Sequence, residues 1–364
     1  MGVSLNAFRQ RVRRWPALLF LMTAGALLLE DQHRLQPWMI FNLWLFLIIS
    51  LGKPRRILKL IPILTASLYV YSALSKCNLM FLEQHGLIIL GGLLRALHLD
   101  PAQLSTAAKN VLISSFPIAE MLIGAGLLFA RTRRLSAVMA MIMHALLLLT
   151  FSSRGLNHEW SVSLWNVFFL LQAFGLWVLP ESFFGVRTAA KVDDRETATS
   201  GWILIGMSVV IWGFPLIRFS GHLDQWMGWS LYSPRHKVVR ILLRTSPDKI
   251  DSEFPPFTKS AYRWVGGETG PLTFLSDRWS LSELHVPLNP EARMEFAVAF
   301  SLCERFDCWD QLAIEVETRN LMAPDKRETR RYVGREQFSQ LAQEYRLPVR
   351  PNARFLISRE AKSK

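Results

Sequence analysis

The sequence predicts an α-helical polytopic membrane bundle of about seven transmembrane helices, plus one interfacial or re-entrant helix, followed by a small α+β extramembrane domain. Of the 364 residues, 51% are hydrophobic and only 20% are charged, a more apolar balance than water-soluble folds carry. Long apolar runs fill residues 1–219, whereas alternating apolar and polar runs broken by Pro and Gly fill 220–364. We therefore expect two domains, a transmembrane bundle at 1–219 and an α+β domain at 220–364.

Seven apolar runs have the length of a transmembrane helix, since a bilayer core of about 30 Å needs about 20 helical residues. An eighth stretch, Gly86–Leu99, is shorter and contains Arg95 and His98, which predicts an interfacial or re-entrant helix. The seven predicted spans are approximately Trp15–Leu29, Trp38–Leu51, Leu58–Lys76, Val111–Ala130, Leu135–Ser152, Ser161–Leu179 and Gly201–Phe219.

The formal net charge of +13 indicates membrane orientation rather than nucleic-acid binding, because Lys and Arg lie mainly beside the apolar runs. With seven spans, one side of the bilayer receives most of them: Arg9–Arg14, Lys53–Lys59, Arg131–Arg134 and Arg187–Arg195. By the positive-inside rule, the N-terminus is cytoplasmic and the chain after Phe219 is extracytoplasmic. We expect a multi-pass protein of the cell (inner) membrane.

The C-terminal region shows the signals of mixed strands and helices. Asn289-Pro290, a helix-capping residue followed by Pro, precedes one of the predicted helices. The predicted strands are Val238–Leu243, Leu284–Pro287, Leu312–Val316 and Phe355–Ser358, and the predicted helices are Glu291–Glu304 and Glu336–Glu344.

Ionisable residues inside the predicted spans are the first candidates for function, because each charge in hydrocarbon costs at least about 2.5 kcal/mol. Counting along the helices places Glu120, His144 and Gln172 at one level, with Lys76 and Asn166 nearer the outer surface. We predict catalytic roles for Glu120, His144 and Lys76, and binding roles for Asn166 and Gln172. The alternative is that these side chains only join the helices together, with Lys76 snorkelling to the interface.

Several common chemistries have no support in the sequence. Phosphate-binding and dinucleotide-binding glycine motifs are absent, no histidine pair has the zincin spacing, and we predict no metal site. Cys303 and Cys308 are separated by four residues, and either a structural disulfide or two unpaired thiols fits this spacing.

A series of short segments resembles, in order, the polar signature of the DoxX-like and MauE-like membrane proteins, small helical bundles described as redox-associated. The similarity runs from about Tyr69 to Cys303 and includes segments similar to the outer domain of larger members. It implies a redox-associated role and adds Asn78 to the binding residues. The segments are Tyr71–Asn78, Pro117–Glu120, His144, Asn157, Leu164–Asn166, Trp229–Ser233 and Glu283–Arg293.

The architecture is also distantly similar to the membrane domains of vitamin K-dependent gamma-glutamyl carboxylases, which use a membrane-embedded Lys as a base toward a reduced quinone; Lys76 is the residue that would correspond. Our first hypothesis is a bundle that binds a quinone-like lipid or supports thiol and electron exchange at the outer face. The second is a non-catalytic assembly or anchoring factor for an extracytoplasmic protein partner. A small-solute transporter ranks third, since inverted repeats and broken helix pairs are missing.

Overall fold

A computed structural model describes residues 5–51, 54–158, 160–179, 198–220, 223–244, 265–266, 272–284 and 287–345. The contacts divide the chain into two compact units, Met1–Pro234 and Arg235–Lys364. The boundary therefore falls after the position near 219 that the composition suggests, because residues following the last long helix pack into the first unit.

All of the regular structure described in the first unit is helical. A π-helical turn, Phe81–His85, precedes α4, and a second one, Phe174–Val178, extends α7. The helices are α1 (Leu5–Glu30), α2 (Pro37–Ser50), α3 (Pro54–Lys76), α4 (Gly86–Ala96), α5 (Thr106–Leu128), α6 (Arg133–Phe151), α7 (Trp160–Ala173) and α8 (Ala198–Leu216).

Among the described residues, five helical stretches are long and apolar enough to cross a membrane. They coincide with five of the seven predicted spans, and the remaining two predictions fall on α1 and α2. α2 has 14 residues and is about 21 Å long, shorter than a bilayer core. The five are Arg56–Lys76, Thr106–Leu128, Arg133–Phe151, Trp160–Val178 and Gly201–Ser220.

The eighth apolar stretch forms a short helix, as its length predicts. α4 has 11 residues, about 17 Å of helix, which is too short to cross a bilayer core. It ends before His98, which has a left-handed backbone conformation (φ 58°).

α3 lies at the centre of the first unit. In its most apolar window, 67% of residues are buried, against 33% or less in the other four candidate spans. Leu64, Ala66 and Tyr69 of α3 belong to a core that also contains Phe41 of α2 and Phe169 of α7. The outer helices instead expose large apolar side chains such as Leu122 and Val209, as expected for helices that face lipid.

Gly124 allows α5 to approach α3 closely. A Cβ atom at this position would lie 2.8 Å from Val70 Cγ2 and 3.1 Å from the carbonyl oxygen of Ala66. Small residues let helices in membranes pack backbone against backbone, so Gly124 sets the separation of the two helices that carry Lys76 and Glu120.

The second unit contains a five-stranded antiparallel sheet of order β2-β3-β1-β4-β5. Its core is formed by alternate residues of β1 and β4, including Ile241 and Ile314, packed with Phe296 and Phe338. The elements are β1 (Lys237–Leu243), β2 (Val265–Gly266), β3 (Thr273–Phe274), α9 (Ser276–Leu284), α10 (Ala292–Phe306), β4 (Leu312–Asn320), β5 (Ala323–Val333) and α11 (Gly334–Glu344).

Most of the predicted elements of this unit are present, with informative exceptions. The strands at Val238–Leu243 and Leu312–Val316 and both helices are confirmed by β1, β4, α10 and α11. The strand predicted from Leu284 is wrong at its start, because Leu284 ends α9; residues 285–286 and the predicted strand Phe355–Ser358 lie outside the described residues. β5 was not predicted because seven consecutive exposed residues hide its alternation.

Candidate functional site

A row of polar side chains runs along one face of α3, and we call it the α3 polar stripe: Thr65, Tyr69, Ser72 and Lys76. The spacings of four, three and four residues place them on one face of an α-helix, over about 16 Å of axis. All four residues are buried, with exposed fractions of only 1–3%. Sequence reasoning selected only Lys76 from this row as a site residue, although the spacing was visible.

Lys76 and Glu120 form an ion pair at the carboxyl end of the stripe. Lys76 Nζ lies 2.9 Å from Glu120 Oε1 and 2.8 Å from Glu120 Oε2, and it also donates to Ser72 Oγ at 2.7 Å. The Lys76 and Glu120 side chains are exposed by 3% and 13%. Two charges withdrawn from water stay ionised only when they are well paired, and this geometry supplies the pairing.

His144 is held between Tyr69 and Asn166. Its Nε2 is 2.7 Å from the Tyr69 hydroxyl and its Nδ1 is 2.9 Å from Asn166 Oδ1. The Asn166 amide nitrogen donates to the carbonyl of Val162, so Oδ1 can only accept, and His144 Nδ1 must carry the hydrogen. We therefore assign a neutral imidazole protonated at Nδ1, with the Tyr69 hydroxyl donating to Nε2.

Aromatic side chains pack against one face of the His144 imidazole ring. Phe169 stacks on His144 with ring centroids 5.3 Å apart and an interplanar angle of 11°. Phe169 in turn contacts Phe41 edge to face at 5.1 Å and Trp165 at 4.4 Å. His144 thus has polar partners at both nitrogens and apolar partners on a ring face.

Gln172 contacts the other end of the α3 polar stripe. Its Nε2 donates to Thr65 Oγ1 at 3.1 Å, while its Oε1 is buried without a hydrogen-bond partner. Glu120, His144 and Gln172 therefore meet α3 at successive positions along its axis rather than at the single level that counting residues suggested. The difference arises because the counts assumed helices parallel to the membrane normal and side chains of equal reach.

Asn78 does not join the cluster. Its amide donates to the carbonyl of Ser75 at 2.9 Å, and its Oδ1 accepts from the Phe81 backbone N–H at 2.9 Å. These bonds cap the end of α3 and the start of the following π-helical turn. The geometry shows Asn78 in a capping role, and the binding role that we predicted for it stays a prediction.

Tyr232 is a member of the site that residue-by-residue reasoning did not select. The Glu120 side chain interacts electrostatically with both Tyr69 and Tyr232, and the Tyr232 ring stacks on Phe151 of α6 with ring centroids 5.1 Å apart. The signal that could have found it is the Trp229–Ser233 segment, which we noted only as part of a resemblance.

An apolar cavity of about 240 Å³ lies elsewhere in the first unit, against α2. Ile40 lines it, and the neighbouring Phe41 contacts Phe169, the ring that stacks on His144. Its lining is Leu21, Leu35, Ile40, Leu43, Trp44, Leu47, Phe214 and Met227. The cavity is suited to a hydrocarbon chain or ring and offers no polar partner of its own.

Cys303 and Cys308 are free thiols in the second unit and both are buried. Cys303 Sγ lies 3.8 Å from the carbonyl oxygen of Cys308, and Asp307 between them adopts a left-handed conformation (φ 50°) that ends α10. A hydrogen bond with Cys308, together with burial, raises the pKa of Cys303, while the same bond lowers the pKa of Cys308. Cys308 is thus the more readily ionised thiol.

Two buried glutamates of the second unit have opposite electrostatic environments. Burial raises the pKa of Glu295 to about 8, although Arg235 pairs with it at 3.3 Å and acts to lower the value. Burial also opposes ionisation of Glu317, but bonds to Arg319 and Arg240 at 2.7 and 2.6 Å leave its pKa lowered. Among the described residues, Glu317 has three arginines within 4.0 Å, Arg240, Arg319 and Arg327, whereas Glu295 has one, and the additional positive charge favours ionisation of Glu317.

Within the part of the chain that the structure describes, no group of three or more His, Cys, Asp or Glu side chains could hold a metal ion. The fold and the site together define a helical bundle of membrane-protein composition with an ion pair and a Tyr–His–Asn hydrogen-bond chain in its interior. Comparison with protein-family models, with curated proteins and with solved structures finds no match to this chain.

Proposed function

We propose that this chain is a redox-associated membrane protein whose bundle exchanges protons with a bound quinone-like lipid. The observation that carries the proposal is the buried Lys76–Glu120 pair beside the Tyr69–His144–Asn166 chain. Ionisable groups inside a membrane bundle are costly and commonly serve proton or substrate pathways.

The residues of the chain have distinct parts in this proposal. His144 is neutral and accepts a hydrogen bond at Nε2 from Tyr69. If a hydroquinone hydroxyl took the place of the Tyr69 hydroxyl, Nε2 would be the atom that accepts its proton and returns it to the quinone. Asn166 holds the other nitrogen and passes no proton, because an amide does not exchange one readily. Lys76 Nζ contacts both carboxyl oxygens of Glu120 and so fixes the position of that side chain.

A quinone supplies electron transfer coupled to proton uptake when it is bound. The apolar cavity fits the hydrocarbon part of such a molecule, and Trp44 and Phe214 offer aromatic contacts to it. The hydrogen-bond donors of the α3 polar stripe are all bonded within the protein. A quinone oxygen would therefore take the place of one of these internal bonds.

The test is the lipid content and activity of the full chain purified from native membranes. We expect mass spectrometry to find a copurifying quinone. Glu120→Gln and His144→Ala should each lower quinone reduction at least about tenfold, equivalent to about 1.4 kcal/mol. Tyr71→Phe is the matched control, because its hydroxyl bonds the Trp212 carbonyl away from the stripe. No bound quinone, together with unchanged activity in both variants, would refute the proposal.

A second candidate function is anchoring or assembly of an extracytoplasmic protein partner, and β5 favours it. β5 is the last strand of the sheet formed by the described residues, and Lys326, Arg327, Arg330 and Arg331 on it are exposed. An acidic partner would complement this strand. Arg331→Glu should release such a partner from membrane pull-downs, whereas Arg278→Glu on α9 should not; equal recovery in both would count against this function.

We also propose the membrane topology. α1, α2, α3, α5, α6, α7 and α8 would cross the cell (inner) membrane, α4 would lie at the interface, and the second unit would be extracytoplasmic. The Lys and Arg distribution supports this arrangement. Reporter fusions at residues 53, 132 and 345 test it, with cytoplasmic signal expected from the first two and extracytoplasmic signal from the third. A cytoplasmic signal at 345 would reject it.

A further inference from the structure

The segment Gln225–Ser233 follows the last candidate span and packs back into the first unit. Trp229 is 1% exposed and belongs to the main core, where it contacts Phe41 edge to face at 6.2 Å. Tyr232 stacks on Phe151 of α6 with ring centroids 5.1 Å apart. Two aromatic side chains therefore insert this segment among the helices of the bundle.

Each of these aromatic residues is followed by a buried serine whose hydroxyl has no hydrogen-bond partner. Ser230 is 2% exposed and Ser233 is 8% exposed. Among the residues that the structure describes, none bonds to either Oγ atom. Buried polar groups without a partner are costly and rare in folded proteins. Two such hydroxyls in one short segment therefore indicate a function other than packing.

The backbone is strained directly before each serine. Trp229 has φ 58° and Tyr232 has φ 55°, a left-handed conformation in which bulky residues are outliers. Such strain persists only where the surroundings enforce it, and it clusters at active sites and at ligand-binding positions. The arrangement of a left-handed aromatic residue and then an unpartnered serine occurs twice in the segment, and it favours a binding function.

The same segment contributes to the wall of the apolar cavity. Met227 lines the cavity, and the backbone N–H of Ser230 bonds the Gln225 carbonyl at 2.9 Å, so Met227 and Ser230 belong to one closed turn. The cavity is suited to a hydrocarbon chain or ring. The turn that supplies part of its wall thus also carries a buried hydroxyl that is free to donate.

We propose that Ser230 and Ser233 bind an oxygen atom of a lipid whose hydrocarbon part occupies the apolar cavity. The oxygen is uncharged, because two neutral hydroxyls do not offset the cost of taking a charged headgroup out of water. A carbonyl oxygen has this character, and its two lone pairs can accept from both serines. The inference deepens the proposed function and rests on it for the choice of a quinone as the expected ligand.

The experiment is isothermal titration of decylubiquinone into the full chain in nanodiscs of ether-linked phospholipid, which has no ester carbonyl to compete. Empty nanodiscs give the baseline. Ser230→Ala and Ser233→Ala should each weaken binding about fivefold, the effect of one neutral hydrogen bond. Ser208→Ala is the matched control, because that hydroxyl bonds the Leu204 carbonyl of its own helix, and it should leave the affinity unchanged.

Two further measurements separate hydrogen bonding from packing. Decylbenzene carries the same chain on a ring without oxygen, so its affinity should be equal in the wild type and in both serine variants. The variants without ligand should be at least as stable as the wild type, because each removes an unpartnered hydroxyl. Equal losses of affinity for the two ligands, or a loss of stability without ligand, would show that the serines serve packing and would overturn the inference.

Failure of this inference and failure of the proposed function give different results. If the wild type and Ser230→Ala bind decylubiquinone equally well, as expected if the hydroxyls bond only water, the inference is overturned and the proposed function stands. If the wild type binds none, nanodiscs of ester-linked phospholipid with isotope-labelled carbonyls decide. An infrared carbonyl band of a bound lipid that Ser230→Ala abolishes would support the inference without the proposed function, and no such band would overturn both.

Discussion

Removing the charge of Glu120 is the most direct test of the buried ion pair. In Glu120→Gln, Lys76 keeps its bond to Ser72 at 2.7 Å but loses the carboxylate that both short contacts now reach. Lys76 is only 3% exposed, so water cannot replace the missing partner. The variant should be less stable, and Lys76→Met combined with Glu120→Gln should recover most of the loss.

The size of the effect follows from burial. Removing one partner of a buried pair costs about 3–5 kcal/mol, whereas removing both is often near neutral. Glutamine retains one acceptor oxygen, so we expect about 3 kcal/mol for the single change. The double variant should lie within about 1 kcal/mol of the wild type, a recovery of about 2–3 kcal/mol relative to Glu120→Gln alone.

The assay is reversible unfolding of the full chain in mixed detergent micelles, followed by circular dichroism. Glu83→Gln is the control, because Glu83 is an exposed carboxylate in the turn before α4 and its loss should change stability by less than about 0.5 kcal/mol. If Glu120→Gln and Glu83→Gln have the same effect, or if the double variant is less stable than the single one, the pair does not stabilise the bundle as we reason.

Three further predictions concern other positions. The pKa of Glu295 is raised from 4.5 to about 8. The free energy of unfolding of the second unit should therefore be highest below pH 4.5 and should fall as the pH rises to about 8, by up to about 5 kcal/mol. Glu295→Gln should flatten this pH dependence in urea titrations of the second-unit transition. Gly124→Val should weaken the contact of α5 with α3 and lower the unfolding free energy by about 1–3 kcal/mol, where an unchanged value would show that the helices do not approach closely. Cys308 should react with an alkylating reagent before Cys303 in the folded chain, since its pKa is the lower of the two; labelled peptides that show Cys303 modified first in mass spectrometry would refute this order.

The features of the bundle that a bilayer requires, long apolar helices and few buried charges, could be predicted from the sequence. Apolar length predicted five of the helices that the structure shows as candidate spans, and the cost of buried charge selected Glu120, His144 and Lys76. The partners could not be derived in the same way, because pairing depends on how helices cross. The structure pairs Glu120 with Lys76 and places Tyr69 against His144, whereas residue counts had put Glu120 and His144 together.

Two regions escaped prediction for local physical reasons. β5 is exposed along most of its length and stabilised by its backbone bonds to β4, so its side chains carry little strand pattern. Trp229 and Tyr232 lie after the last apolar run, and nothing in hydropathy indicates that a strained turn returns them to the core. Both cases depend on contacts with residues distant in sequence.

Through the α3 polar stripe, the central helix α3 is bonded to three neighbouring helices. Thr65, Tyr69 and Lys76 each bond a different helix, α7, α6 and α5 respectively. A slide of α3 by one turn, about 5.4 Å, or a rotation by a single residue would sever all of these bonds together. The bonds to Glu120, His144 and Gln172 thus fix the positions of α5, α6 and α7 relative to one another through a single helix.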